Sequence, residues 1–274
     1  MNFKRHEVQE YFEQIVGCLD IQNWKNYKTT LTRISIDLEK KSNLDNCIES
    51  DIYSYFHKSL YSFVQALSNI HRNNYSWSIV QLYYSCFYAI RADILLSNHC
   101  IIRCSGLYLI ENDIGEKFNI FTINKVRGDH QLSIALLKKM HSEYKLTDEI
   151  LDNELEGCDA YTWMMKHRER SNYQLKNFTD PEIDELFIHT SSYFKRKEIS
   201  DLIAFYNNSD YTICFDLDHS VLSIPFKKIM QIKNKIKDKY PVNTKENTQH
   251  YIYIRKKLME MGMTKSNFEK LILA

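Results

Sequence analysis

Residues 77–96 read Trp77-Ser78-Ile79-Val80-Gln81-Leu82-Tyr83-Tyr84-Ser85-Cys86-Phe87-Tyr88-Ala89-Ile90-Arg91-Ala92-Asp93-Ile94-Leu95-Leu96. Wound as a helix, this stretch points apolar groups in almost every direction, the pattern of a helix enclosed by other helices. Ser85, Ala89 and Ala92 are small enough to let neighbouring backbones approach. Ser76 is placed to cap its start. His71-Arg72-Asn73-Asn74 separates it from a preceding helix over 50–71, in which Ile52, Phe56, Leu60, Phe63, Val64 and Leu67 recur at helical spacing. The fold class follows: mainly α, built as an up-and-down helical bundle.

The flanks repeat the theme. Residues 1–40 carry one or two amphipathic helices, on Val8, Tyr11, Phe12, Ile15 and Val16 and then on Leu31, Ile34 and Leu38, before a loop at Asn43-Leu44-Asp45-Asn46. Residues 100–125 read as irregular, and a helix follows over 129–144. The acidic run 143–159 leads into a helix from Ala160, carrying Tyr161, Trp163, Met164 and Met165. Thr179-Asp180-Pro181-Glu182 opens another helix, with proline in its first turn, running to about Tyr206. Asn207-Asn208-Ser209-Asp210 then marks a domain boundary, giving a bundle over 1–208 and a basic appendage, α or α+β, over 209–274. In that appendage 211–217 has strand composition, the Lys-rich 225–239 is helical, and a helix over 248–261 precedes a short one after Thr264.

Composition narrows the classes. With 6 Gly and 3 Pro among 274 residues the chain lacks the turn formers of a many-stranded β fold. A net charge of +1 supplies no overall field towards nucleic acid or membrane. No stretch reaches the roughly 20 apolar residues of a membrane span, and Met1-Asn2-Phe3-Lys4-Arg5-His6-Glu7 contains no signal-peptide core. The 7 cysteines are odd in number and scattered, which fits reduced thiols in a cytoplasmic protein. Cys100 and Cys104, beside His99, have no second paired element, so neither metal nor cofactor is expected.

Tyr83-Tyr84, Phe87, Ala89, Ala92 and Leu95-Leu96 resemble the aromatic-rich helix of the HEPN superfamily. Arg168-Glu169-Arg170-Ser171-Asn172-Tyr173-Gln174 resembles the Arg-Glu-x-x-Asn-Tyr variant of divergent members. The two together span about residues 50–205. The resemblance implies a helical bundle, often dimeric, frequent in prokaryotic toxin–antitoxin and antiviral systems. Active members cleave RNA without metal, using an Arg and a His a short way along one helix: the His moves protons and the Arg stabilises phosphorane charge. This chain departs from that pattern. Arg91 and His99 stand too far apart, Arg127 and His130 too close, and Arg168 has Tyr173 in the histidine's place. Tyrosine, with a pKa of about 10, is a poor proton shuttle at neutral pH.

The expected function is therefore a noncatalytic accessory subunit of a prokaryotic antiphage or anti-plasmid defence complex. Its partner would be a nuclease, an ATPase or a second copy of the chain. One alternative is a divergent ribonuclease toxin working through Arg168, Arg170 and Tyr173, with His167. The bland reading of those arginines pairs them with Glu169 or the preceding acidic run. Another alternative is a nucleic-acid-binding regulator contacting phosphates through Lys227, Lys228, Lys233 and Lys235, although a solvated helix face explains that stripe equally well. Phe215-Asp216-Leu217-Asp218-His219-Ser220 resembles the first motif of haloacid-dehalogenase phosphatases, but too little chain follows to supply the rest of that site. The motif reads as a strand running into an Asp-rich turn.

Overall fold

The computed structural model describes residues 4–18, 20–120, 122, 126–240 and 249–264. The chain is mainly helical and divides into two compact units, Met1–Tyr55 with Ile90–Leu146, and Phe56–Ala89 with Thr147–Ala274. This division departs from the boundary expected near residue 208. Residues of the two central helices, α3 (Leu38–His71) and α4 (Tyr75–Leu96), fall in both units.

The first unit holds α1 (Glu7–Ile15), a 3-10 turn over Ile21–Tyr27 and the short α2 (Lys28–Leu31). Asp51 on α3 ties α1 down: its carboxylate accepts the Glu7 and Val8 amides at 2.8 and 2.9 Å, as a helix start requires. The loop expected at 43–46 is continuous helix, since Leu44 and Ile48 extend the buried stripe of α3. Residues 99–120, expected to be irregular, form an antiparallel sheet of β1 (His99–Arg103), β2 (Leu107–Glu111) and β3 (Asn119–Ile120). Ile102, Leu107, Tyr108 and Ile110 are buried there, and the reversal at 104–106 is too short to betray a hairpin by spacing alone. The unit closes with α5 (Asp129–Ser142), whose Asp129 meets Arg91 at 3.3 Å.

The second unit is built on the α3–α4 hairpin. Ser59 and Ser85 exchange hydroxyl-to-carbonyl hydrogen bonds at 2.8 and 2.9 Å, and Ser78 donates to the Ala66 carbonyl at 3.2 Å. Small residues thus bring the two backbones close. Ser76 is not the cap of α4. The Asp180 side chain accepts the Tyr75 and Ser76 amides from across the unit, while Ser76 Oγ meets Thr179 Oγ1 at 3.2 Å. Asp180 therefore caps a distant helix instead of opening its own. The single helix expected over 179–206 is a 3-10 turn at Glu185–Phe187, α7 (Ser191–Lys195) and α8 (Ile199–Asn208), interrupted at Lys197 with φ of 59°.

The β4 (Glu154–Leu155) and β5 (Cys158–Asp159) ribbon precedes α6 (Ala160–Glu169). Residues 211–217 are not a strand. Tyr211–Phe215 is a 3-10 turn started by Asp210, which accepts the Thr212 amide at 2.9 Å, and Ile213 and Cys214 pack inward. The Asp-rich motif after it is a turn in which Asp216 accepts the Asp218 amide at 3.0 Å.

The next helix, α9 (Ser220–Lys239), is core and no appendage: Leu222, Ile224, Phe226, Ile229 and Ile232 are buried, and Phe226 meets the Phe63 and Tyr206 rings at 6.2 and 5.9 Å. Finally α10 (Gln249–Glu260) lays Tyr251 and Tyr253 on the His57 and Tyr61 rings of α3, at 4.5 and 5.9 Å. The short helix expected after Thr264 falls outside the described residues. Among those residues α4 alone has the length and hydropathy of a membrane span, and 72% of that window is buried inside the protein, as in a core helix.

One buried ion pair holds the second unit's centre. Lys228 Nζ lies 2.7 Å from Asp148 Oδ2, both fully buried, and Tyr161 Oη donates to the same oxygen at 2.7 Å. Burial alone would raise the Asp148 carboxyl, but Lys228 and the hydrogen bonds from Tyr161 and Gln231 hold it below the ordinary value. The expected outcome for Asp148→Ala is a loss of about 3–5 kcal/mol in urea unfolding, because Lys228 is left as an uncompensated buried charge. Replacing both at once, Asp148→Leu with Lys228→Met, restores most of that loss.

Candidate functional site

The Lys stripe is not an exposed face. Lys227, Lys228 and Lys233 are all buried, and the expectation that they contact phosphates is corrected accordingly. Lys227 donates to the Ser209 carbonyl at 2.5 Å and lies over the Tyr211 ring, and burial pulls its pKa down. Lys228 is committed to Asp148. Lys235 is half-exposed and donates to the Thr147 carbonyl at 3.0 Å. The physical reason is that α9 is covered on more than one side, so its long amphipathic side chains reach to carbonyls and a carboxylate within the unit.

The other candidates do converge. Asp159 caps α6, accepting the Thr162 amide at 3.0 Å, and the helix buries Tyr161, Trp163 and Met164. At its end α6 widens into a π-turn, Arg170–Gln174, closed by a hydrogen bond from the Leu175 amide to the Arg170 carbonyl at 3.1 Å. In an α-helix residues five apart diverge by about 140° around the axis. The wider π-turn removes much of that divergence. Arg168 and Tyr173 therefore share a side: the guanidinium carbon sits 5.8 Å from the Tyr173 ring centre.

The same guanidinium lies over Tyr83 at 5.2 Å and Tyr84 at 5.9 Å. The two segments that carry the family resemblance, Tyr83-Tyr84 and 168–174, thus meet around one cation. Tyr83 is a core residue and Tyr84 is half-buried, and their rings form the walls around the cation. The resemblance drew attention to each segment, but nothing in the sequence placed the two together.

The charges around this cage divide unequally. Arg170 is neutralised, its nitrogens meeting Glu185 at 2.5 Å and buried Asp184 at 3.1 Å, residues that follow it in sequence and lie outside the preceding acidic run. Arg168 is treated differently. Its nearest carboxylate is Glu169 at 4.0 Å, beyond hydrogen-bonding reach, and its side chain is 12% exposed. Three buried polar atoms, Arg168 Nε, His167 Nδ1 and Ser171 Oγ, have no hydrogen-bond partner among the described residues. His167 packs on the Trp163 ring at 4.1 Å, and its Nε2 lies 4.0 Å from Glu156. Burial first, then the Arg170 charge, lowers the His167 pKa. Burial also raises the Tyr83 hydroxyl, removing it further from proton transfer at neutral pH.

Exposed apolar side chains lie along the same elements. Trp77 is 50% exposed, Tyr173 73% and Phe178 59%, with Ile183 and Ile188 exposed further along the segment after α6. Trp77 stands seven residues before Tyr84, two helical turns, and so shares its face of α4. The Ser76–Thr179 hydrogen bond brings the neighbour of Phe178 to the neighbour of Trp77. His99, Cys100 and Cys104 are buried, and among the described residues no group of three His, Cys, Asp or Glu side chains is placed to hold a metal ion.

No protein-family model matches this chain, and no curated protein or solved structure matches it either.

Since His167 is held neutral by burial and by Arg170, its imidazole should titrate by NMR below the ordinary value of about 6.5. Arg170→Gln removes the like charge and should move that midpoint upward. The stabilisation tied to neutral His167 is present above the unfolded pKa and is lost as pH falls towards the folded one.

Proposed function

We propose that this chain is a noncatalytic interaction subunit that recognises a protein partner through the aromatic surface around Arg168. The observation carrying this reading is the concentration of exposed apolar side chains, Trp77, Tyr173, Phe178, Ile183 and Ile188, at the start of α4 and along the segment following α6. Exposed apolar side chains concentrated on neighbouring elements mark interaction sites, and tryptophan, tyrosine and arginine dominate binding hot spots. The electrostatics support binding over catalysis. Arg170 is spent on Asp184 and Glu185, and burial raises the Tyr83 hydroxyl, which makes it a poor proton carrier at neutral pH. Membership of a HEPN-like bundle, and a place in an antiphage or anti-plasmid complex with a nuclease or ATPase, rest on the sequence resemblance alone.

A second reading, a divergent metal-independent ribonuclease, draws on one specific observation: Tyr83-Tyr84 and Arg168–Tyr173 meet around a cation beside a neutral histidine. It requires His167 and Arg168 to act together on a phosphodiester.

The deciding experiment expresses the tagged chain with its neighbouring genes at native levels and purifies it in high salt. The interaction reading expects a stoichiometric protein partner that is lost when Trp77→Glu and Phe178→Glu are combined. An isolated monomer would end that reading. Growth arrest on expression that Arg168→Ala relieves would put the ribonuclease in its place.

A further inference from the structure

We infer that Arg168 is the receptor for a carboxylate, presented by an apolar segment of the partner protein. This rests on the interaction-subunit reading and specifies its chemistry. A guanidinium carries five N–H donors in a fixed fork and cannot shed its charge. Arg168 makes no hydrogen bond to any described residue, and its Nε is buried without an acceptor. Native structures rarely leave such a group unmatched unless something else fills the place. Tyr83, Tyr84 and Tyr173 lie over the cation at 5.2, 5.9 and 5.8 Å, which stabilises its charge through their ring faces. Rings satisfy charge but accept no directed N–H bond in the plane of the fork. That plane is where a carboxylate binds in bidentate fashion.

Two features select a protein carboxylate over a polyanion. Between residues 168 and 185 the chain carries Arg168, Arg170 and Lys176 against Glu169, Asp180, Glu182, Asp184 and Glu185, three cations to five carboxylates. A nucleic-acid backbone would set several charges against those carboxylates, whereas a single carboxylate meets the guanidinium directly, with only Glu169, 4.0 Å from Arg168, as a near competitor. Tyr173, 73% exposed with its ring over the cation, offers area for an apolar side chain beside that carboxylate. An aspartate or glutamate within a short apolar stretch fits both.

The test presents a random phage-displayed peptide library to the immobilised full chain and then measures the enriched peptides as synthetic ligands by calorimetry. The inference expects enriched sequences with an acidic residue between apolar ones. Arg168→Gln should weaken them at least about 30-fold, the loss expected when one partner of a desolvated charge pair is removed. Changing the peptide's acid to its amide should weaken binding as much, with little further loss when both changes are combined. Tyr173→Ala, at an exposed position that leaves the circular dichroism unchanged, should weaken binding about tenfold.

Enriched peptides without an acid, or none at all, would overturn the inference, as would binding indifferent to both variants. Binding of a short single-stranded RNA that Arg168→Gln abolishes would overturn it in favour of nucleic acid. A stoichiometric partner whose affinity survives Arg168→Gln would also overturn it, yet leave the interaction-subunit reading standing.

Discussion

A helix that is apolar on every side cannot stand in water, and the demand of α4 for complete cover organises what surrounds it. Ile79, Leu82, Tyr83, Cys86 and Ala89 are all buried, so α4 needs neighbours on each face. On one face α3 supplies that cover, through small residues that let Ser59 and Ser85 bond each other's carbonyls. The helix start also needs acceptors for its free amides, and Asp180 provides them from more than a hundred residues along the chain. That single cap anchors the segment following α6 beside α4. The anchoring brings the chain at Thr179 to the start of α4, with exposed Phe178 and the π-turn that holds Tyr173 over Arg168 on one element and Trp77 on the other.

The unit handles its internal charges in two contrasting ways. Lys228 is satisfied completely: a carboxylate at 2.7 Å, a glutamine oxygen at 3.3 Å and the Tyr161 ring surround it. Such a site specifies how α9 seats against the 3-10 turn over Glu149–Leu151, which Asp148 caps, and has nothing left to offer a ligand. Arg168 is nearly as enclosed but is met by rings, with its nearest carboxylate, Glu169, at 4.0 Å. The difference between a closed and an open hydrogen-bond inventory separates a structural cation from one with binding capacity. By the same criterion Arg170, held by Asp184 and Glu185, is structural.

Helical periodicity made α4, α5, α6, α9 and α10 legible, because a buried stripe repeats whatever it packs against. It also marked the break at His71–Asn74, where Asn73 takes φ of 60° to turn the chain. The hairpin at 99–111 was not legible, since five-residue strands carry too few alternations to stand out from irregular chain. Residues 211–215 show the converse. Their β-branched and aromatic composition suits a strand, but Asp210 starts a 3-10 turn there instead.

The sequence by itself determined the helical class, the enclosure of α4 and the absence of the Arg–His ribonuclease spacing, all properties of local order along the chain. It also brought Tyr83-Tyr84 and Arg168–Tyr173 to attention as separate motifs. Tertiary structure alone decided which charges are spent. A lysine in a helical stripe looks the same whether its ammonium meets water or a buried carboxylate 80 residues away, as Lys228 does. Only the folded chain sets Asp148 under Lys228, Asp184 against Arg170, and three aromatic rings where Arg168 would otherwise find an acid. The reason is that pairing energy depends on distance and burial, and neither is written in the order of the residues.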